Sequence, residues 1–284
     1  MTEHVEWLEP TRAPGGGLAC CSGLYANPLA ELLIGESLHP GGLASTRRLL
    51  RASGLAPGAR ILDAGCGLGA SARLAADEFG LTVDAVDASA ETIGRAAART
   101  VAGRIRWQLA ELSRLPFDAS SFDGVIAECV LSTTERPGVL RELARVLVPG
   151  GALVMSDVEA EADAVPALAG HGLLGVALCV TGAWGPDELE ASLTDAGFRL
   201  EHRWDLTASI LELVDRAESR IGLARIAARD MGLDLAVLAG GVAGASTLTL
   251  APERAREVAD DVRAAVQKGH LRYFGSIAVR TATR

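Results

Sequence analysis

Basic charge is in short supply in this chain of 284 residues: 27 Lys and Arg stand against 36 Asp and Glu, a formal net charge of −9. An acidic surface has little attraction for a phosphate backbone or an anionic bilayer, so no nucleic acid and no membrane is expected as a partner. Long apolar runs are also missing. The longest uncharged stretch, residues 235–252 (LAVLAGGVAGASTLTLAP), is diluted by Gly, Ala, Ser and Thr and reaches only the short end of a bilayer span. The first ten residues are polar and acidic, with neither a basic start nor an apolar core, so no signal peptide is expected. Cysteines number five, odd and scattered, which excludes a secreted disulfide framework and points to reduced thiols and a cytoplasmic setting. Aromatics make up 4% of the chain, yet 49% is apolar, mostly Ala, Leu and Val, enough to bury a sizeable core. No internal repeat or low-complexity tract stands out. These absences leave a small-molecule partner as the expectation.

What is present is a regular alternation of strand-like and helix-like runs. ARILDAGCG (59–67) reads as a buried strand ending in a glycine turn, followed by a helix that Gly80 closes. LTVDAVDAS (81–89) and the run around 105–109 read as further strands, and VIAECV (125–130) as a fourth. RPGVLRELARVLVPGG (136–151) reads as a helix stopped by Pro149 and a glycine pair, with GALVMSDV as the next strand. GPDELEASLTDAGF (185–198) predicts a helix with Pro186 and acidic residues in its first turn and Gly197 at its end. FRLEHRWDL and HLRYFGSIAVRTA read as two late strands, separated by a mostly helical insertion over about 209–268. The fold class is therefore α/β, a doubly wound, mostly parallel seven-stranded sheet. Its expected parts are a helical lead-in over 1–50, a cofactor-binding core over 51–205, and an insertion plus final strand over 206–284.

LDAGCGLGAS carries the cofactor signal. Gly65, Gly67 and Gly69 close one strand and open a helix, so backbone N–H groups face the crevice beyond the sheet. Asp87 ends the next strand, where a carboxylate can take both hydroxyls of a ribose. The G-x-G-x-G spacing differs from the G-x-G-x-x-G of dinucleotide sites, which opposes a nicotinamide-dependent oxidoreductase. Asp63 ahead of the turn, Glu111 ahead of LPF, and PGG (149–151) complete an order that resembles the class I S-adenosylmethionine-dependent methyltransferases over about 50–198. The resemblance implies an enzyme whose cofactor is S-adenosylmethionine. Asp63, Gly65, Cys66 and Gly67 would border its methionine part, Asp87 its ribose, and Ala88, Glu111 and Leu112 its adenine. Glu128 is assigned to the same cofactor set. Glu111 stands where the family usually has Asp. Cys66 receives no chemistry of its own, because a small residue or Cys is common in that turn.

Cys129 in AECVLS and Cys179 ahead of the acidic helix ending AGF give the joint pattern a narrower resemblance, to the arsenite (trivalent arsenical) methyltransferases. It implies a metalloid acceptor held by Cys129, Cys179 and the vicinal pair Cys20 and Cys21, as substrate ligands. A further cysteine of that family has no counterpart here, since Ala70, Ser71 and Ala72 fill its region. The pair would act as thiols on a flap that complete the site. Three alternatives stand beside this reading. One is methylation at O, N, C or S of a small organic metabolite, with His39, His171 or Glu128 as the base. Another is a metalloid-binding protein without turnover, which the intact glycine turn and its acids oppose. The weakest is the oxidoreductase. Plain packing explains a single buried Cys equally well. The oligomeric state is left open between monomer and homodimer.

Overall fold

The structure is a computed structural model that describes residues 31, 35–37, 39–100, 103–169, 178–230 and 252–282. Seven strands form one sheet: β1 (Arg60–Ala64), β2 (Thr82–Asp87), β3 (Ile105–Leu109), β4 (Phe122–Glu128), β5 (Leu147–Ala160), β6 (Phe198–Asp205) and β7 (Leu271–Arg280). Their order is β3-β2-β1-β4-β5-β7-β6, with β7 antiparallel to both its neighbours and the other pairs parallel. The described helices are α1 (Gly42–Ser53), α2 (Ala70–Phe79), α3 (Ala90–Ala98), α4 (Arg136–Val146), α5 (Val165–Ala169), α6 (Glu188–Asp195), α7 (Ala208–Asp230) and α8 (Pro252–Gln267). The fold class read from the sequence is the one observed, including a helical segment before β1 and the helices α7 and α8 between β6 and β7.

The inner strands are buried on both faces, which is why their sequences run apolar without alternation. Ile61, Val83, Ala85 and Ile126 pack under α2 through Ala72, Leu74, Ala75 and Ala76. Their neighbours Leu62, Val86 and Val125 face the other way, onto Leu140 and Leu143 of α4 and Leu189 and Leu193 of α6. A third apolar cluster lies beneath α7 and α8. It brings Ile210, Leu213 and Val262 against Tyr273, Cys129 and Cys179.

Helix ends follow local chemistry. Ser89 caps α3 by accepting from the Thr92 N–H at 3.2 Å, and Glu135 caps α4 by accepting from Gly138 at 2.8 Å. Gly80 ends α2 in the left-handed region, at φ 68, as its place in the sequence predicts. Two expected boundaries are corrected. α4 stops at Val146, before the Pro-Gly-Gly expected to stop it, and that tripeptide lies inside β5. The pairing of β4 with β5 shifts register between Phe122 and Gly124, where Leu147 and then Ala152 are the partners. A proline cannot donate to a ladder, and Gly150 takes φ 82, so the segment is accommodated as an irregularity in the strand. α6 begins at Glu188 with Asp187 as its cap, so Pro186 stands just before the helix and not in its first turn.

Because β1 pairs with β2 on one side and β4 on the other, the strand order reverses there and a crevice opens beyond their carboxyl ends. Next to it, the turn at Leu131–Thr133 meets the turn at Val180–Gly182 so closely that a Cβ on Gly182 would overlap the Ser132 carbonyl oxygen. Gly182→Ala should therefore lower the unfolding free energy by about 1–3 kcal/mol or more in a urea titration. Gly94→Ala, exposed within α3 with no atom within 4 Å of the new Cβ, should raise it by about 0.5–1 kcal/mol.

Candidate active site

The crevice holds a pocket of about 400 Å³, counting its open mouth, lined by the glycine turn together with Glu36, Ser37, His39, Asp63, Ser71 and Glu128. The turn has its shape because three glycines take left-handed backbone: Gly65 at φ 72, Gly67 at φ 52 and Gly69 at φ 76. Gly65 and Gly69 also lack room for a side chain, since a Cβ would run into Val130 and Trp107 respectively. The N–H groups of Gly65 and Cys66 both donate to the Val86 carbonyl, which ties the turn to the end of β2. Asp87 secures the same junction, its Oδ2 accepting from Gly67 N–H at 3.0 Å and its Oδ1 from Ser89 N–H at 2.9 Å.

Glu128, at the end of β4, meets side chains from three other segments. Thr46 of α1 donates to its carboxylate at 2.9–3.0 Å, and Ser71 of α2 donates to Oε2 at 2.6 Å. His39 Nε2 lies 3.4 Å from the same oxygen. Both side chains are nearly closed to water, 8% exposed for His39 and 5% for Glu128. Ser37 Oγ stands 2.8 Å from His39 Nε2. The segment that carries Ser37 is clasped in place by charge. Glu36 meets Arg73 at 3.0 Å, Arg73 donates to the Leu68 carbonyl at 2.8 Å, and Glu31 pairs with Arg95 at 2.7 Å and Arg99 at 2.8 Å.

The remaining site residues expected from the sequence separate into groups. Cys66 lies within the turn, and burial pushes its thiol well above the ordinary range, with Asp63 and Asp87 adding to the effect. It is a packed, neutral thiol. Leu112 is buried, while Ala88 and Glu111 are exposed at the ends of β2 and β3, with Glu111 in a short bridge to Arg114. Cys129 and Cys179 come together from opposite loops, the Cys179 Sγ 3.7 Å from the Cys129 carbonyl oxygen, each on left-handed backbone near φ 50. Cys129 Sγ also lies 3.9 Å from the Tyr273 hydroxyl. Cys20, Cys21 and His171, like most of residues 235–252, lie outside the described residues. Among the described residues no group of three or more His, Cys, Asp and Glu could hold a metal ion, and no helix is long and apolar enough to cross a membrane. Thr46, Ser71, Ser37 and Tyr273 were not identified from the sequence. Each is a common polar residue without a motif, and only folding brings them round His39 and Glu128.

Asp63 is the most perturbed acid of the pocket. Burial, then the charges of Glu128 and Asp87, push its carboxyl up to about 8, and its Oδ2 has no hydrogen-bond partner. The folded, cofactor-free protein holds this proton, whereas the unfolded chain releases it near pH 4. The contribution to stability is thus complete below about pH 4 and is lost as pH rises towards 8. Asp63→Asn cannot titrate, so urea titrations should show its stability relative to wild type improving from pH 5 to pH 8.5. A constant difference across that range would contradict a shifted carboxyl.

Comparison with known proteins agrees with this geometry. The family described as Methyltransferase domain matches residues 62–155, from β1 into β5. The O-methyltransferase resE of Aspergillus sclerotiorum is 33% identical over 225 residues, 72% of this chain and 82% of its own length. The arsenite methyltransferase of Halobacterium salinarum is 37% identical over 153 residues, 51% of this chain, but the match spans only 38% of that protein. Among solved structures, the [4+2]-cyclase SpnF shares the fold with a TM-score of 0.69 at 20% identity, over 96% of this chain and 98% of its own. Likeness to SpnF speaks for fold alone. The identity to resE is broader than a shared fold requires, and the chain belongs to the class I S-adenosylmethionine-dependent methyltransferases.

Proposed function

We propose that this enzyme methylates a hydroxyl group of a small organic molecule, with His39 as the proton acceptor. The observation that carries the reading is the meeting of His39 and Glu128 in the pocket of the glycine turn, 3.4 Å apart and shielded from water. A hydroxyl must shed its proton as it attacks, and imidazole is the side chain whose ordinary pKa suits that task near neutral pH. Glu128, fixed by Thr46 and Ser71, orients the ring and stabilises the cation formed on it. The breadth of the match to an O-methyltransferase supports the same reading.

S-adenosylmethionine supplies, when bound, a sulfonium whose methyl is electrophilic and whose leaving group is a neutral thioether. The residues present fit it. Asp63 offers a buried oxygen without a partner, suited to the ammonium of an amino acid. Gly65, Cys66 and Gly67 provide a turn close to the main chain of β2 and free of bulky groups. Asp87 is held by two backbone N–H groups and keeps lone pairs for ribose hydroxyls. Ala88, Leu112 and Glu111 would then border the adenine, at the ends of β2 and β3.

A thiol-bound metalloid is the second reading, supported by the approach of Cys179 to Cys129. Two thiols leave a three-sulfur site for trivalent arsenic incomplete, and Cys20 or Cys21 would have to complete it.

The readings separate in a transfer assay with labelled S-adenosylmethionine, using catechol and other small phenols and alcohols in one series, and arsenite and methylarsenite with thiol in the other. Methylated hydroxyl product is expected. Its kcat should fall about 10²–10⁴-fold in His39→Gln, with cofactor binding retained in calorimetry, and should survive in Cys129→Ser and Cys179→Ser. Arsenic product that vanishes in both cysteine variants, without hydroxyl turnover, would replace the first reading by the second.

A further inference from the structure

A hydrogen-bonded chain leads away from His39 into the sheet, and it determines which ring nitrogen can accept a proton. His39 Nδ1 lies 3.1 Å from the Pro40 carbonyl oxygen, which can only accept, so Nδ1 carries the hydrogen. The second atom facing Nδ1 is the Tyr273 hydroxyl oxygen at 3.5 Å. That hydroxyl donates its own proton to Ser156 Oγ at 2.7 Å, so towards His39 it presents a lone pair. Nε2 is left without a hydrogen and faces Ser37 Oγ at 2.8 Å and Glu128 Oε2 at 3.4 Å, on the side of the pocket.

The placement of Tyr273 follows from register. β7 runs antiparallel to β5, with Tyr273 opposite Val158, so Ser156 is its diagonal neighbour on the same face. Tyr273 and Ser156 are both fully buried. Burial raises the Tyr273 phenol well above its ordinary range, and the nearby Cys129 and Glu128 raise it further, so the phenol keeps its proton.

We infer that Tyr273, reaching from the last strand, is a positioning residue for His39: beside the Pro40 carbonyl, its oxygen offers Nδ1–H a second acceptor and so helps keep Nε2 as the nitrogen that takes the acceptor's proton. The assignment rests on His39 acting as the proton acceptor. The charged and titratable groups around the ring are Glu128 from β4 and Tyr273 from β7, with Asp63 and Glu36 lining the same pocket.

The experiment is ¹⁵N NMR of the imidazoles in the full chain with S-adenosylhomocysteine bound, His39 being assigned by its loss in His39→Gln. The same variants are then taken through kcat and pH–rate profiles with catechol. In the wild type, neutral His39 should read as the Nδ1–H tautomer. Tyr273→Phe keeps the ring volume and removes the oxygen. Its His39 signals should shift towards the other tautomer, its kcat should fall about tenfold or more, and the acid limb of its profile should move to lower pH, with KM little changed. Ser156→Ala leaves the Tyr273 proton uncommitted and should change the same readouts in the same direction by less, which carries the test if Tyr273→Phe folds poorly. An unchanged His39 tautomer in both variants would overturn the inference. An intact rate in His39→Gln, beside a tautomer shift in Tyr273→Phe, would instead overturn the assignment of His39 as base and leave the contact standing.

Discussion

Glu128 ends the fourth strand with a carboxylate that water barely reaches, and a charge in that position must be met by donors from the protein. Those donors come from distant parts of the chain, Thr46 from the helix before the sheet and Ser71 from the helix after the glycine turn, and His39, from the approach to α1, packs beside the same carboxylate. One side chain thereby fixes α1, the helix after the glycine turn and the carboxyl end of β4 relative to one another. Removing any of the donors leaves the charge underserved, while removing the charge releases three segments at once.

No Lys or Arg is among the described residues that line the pocket. Asp63, Asp87, Glu128 and Glu36 surround or border it, and the arginines nearby, Arg73, Arg95 and Arg99, are occupied on its outer side by Glu36 and Glu31. Burial then favours a protonated Asp63 until a cationic group arrives. Such a pocket suits a cofactor that brings positive charge with it. The cysteine pair lies one layer deeper. Cys129 and Cys179 close the gap between two loops that are already locked by the contact of Gly182 with Ser132, and Cys129 touches the tyrosine that faces His39.

Much of the fold was legible because local signals agreed with one another. The runs of buried residues in β1, β2 and β4, the glycine that ends α2, and the Asp that ends β2 all follow from rules that act over a few residues. Pro149-Gly150-Gly151 misled for the opposite reason. These residues break helices in isolation, yet the pairing of Leu147 and Ala152 on either side of them with β4 carries them within a long strand of irregular register. Glu111 and Ala88 sit where sequence order puts them, at strand ends, though nothing local told that both are open to solvent.

The amino-acid sequence by itself determined the strand and helix succession, the mostly parallel sheet, and the glycine turn with its acids, because these depend on periodicity, backbone freedom and chain order. Only the tertiary structure decided the environment of His39. Its partners Glu128, Thr46 and Tyr273 lie 89, 7 and 234 residues away along the chain, as β4, α1 and β7 bring them together. A contact across such separations leaves no pattern in a single sequence, since its geometry exists only once the sheet has closed.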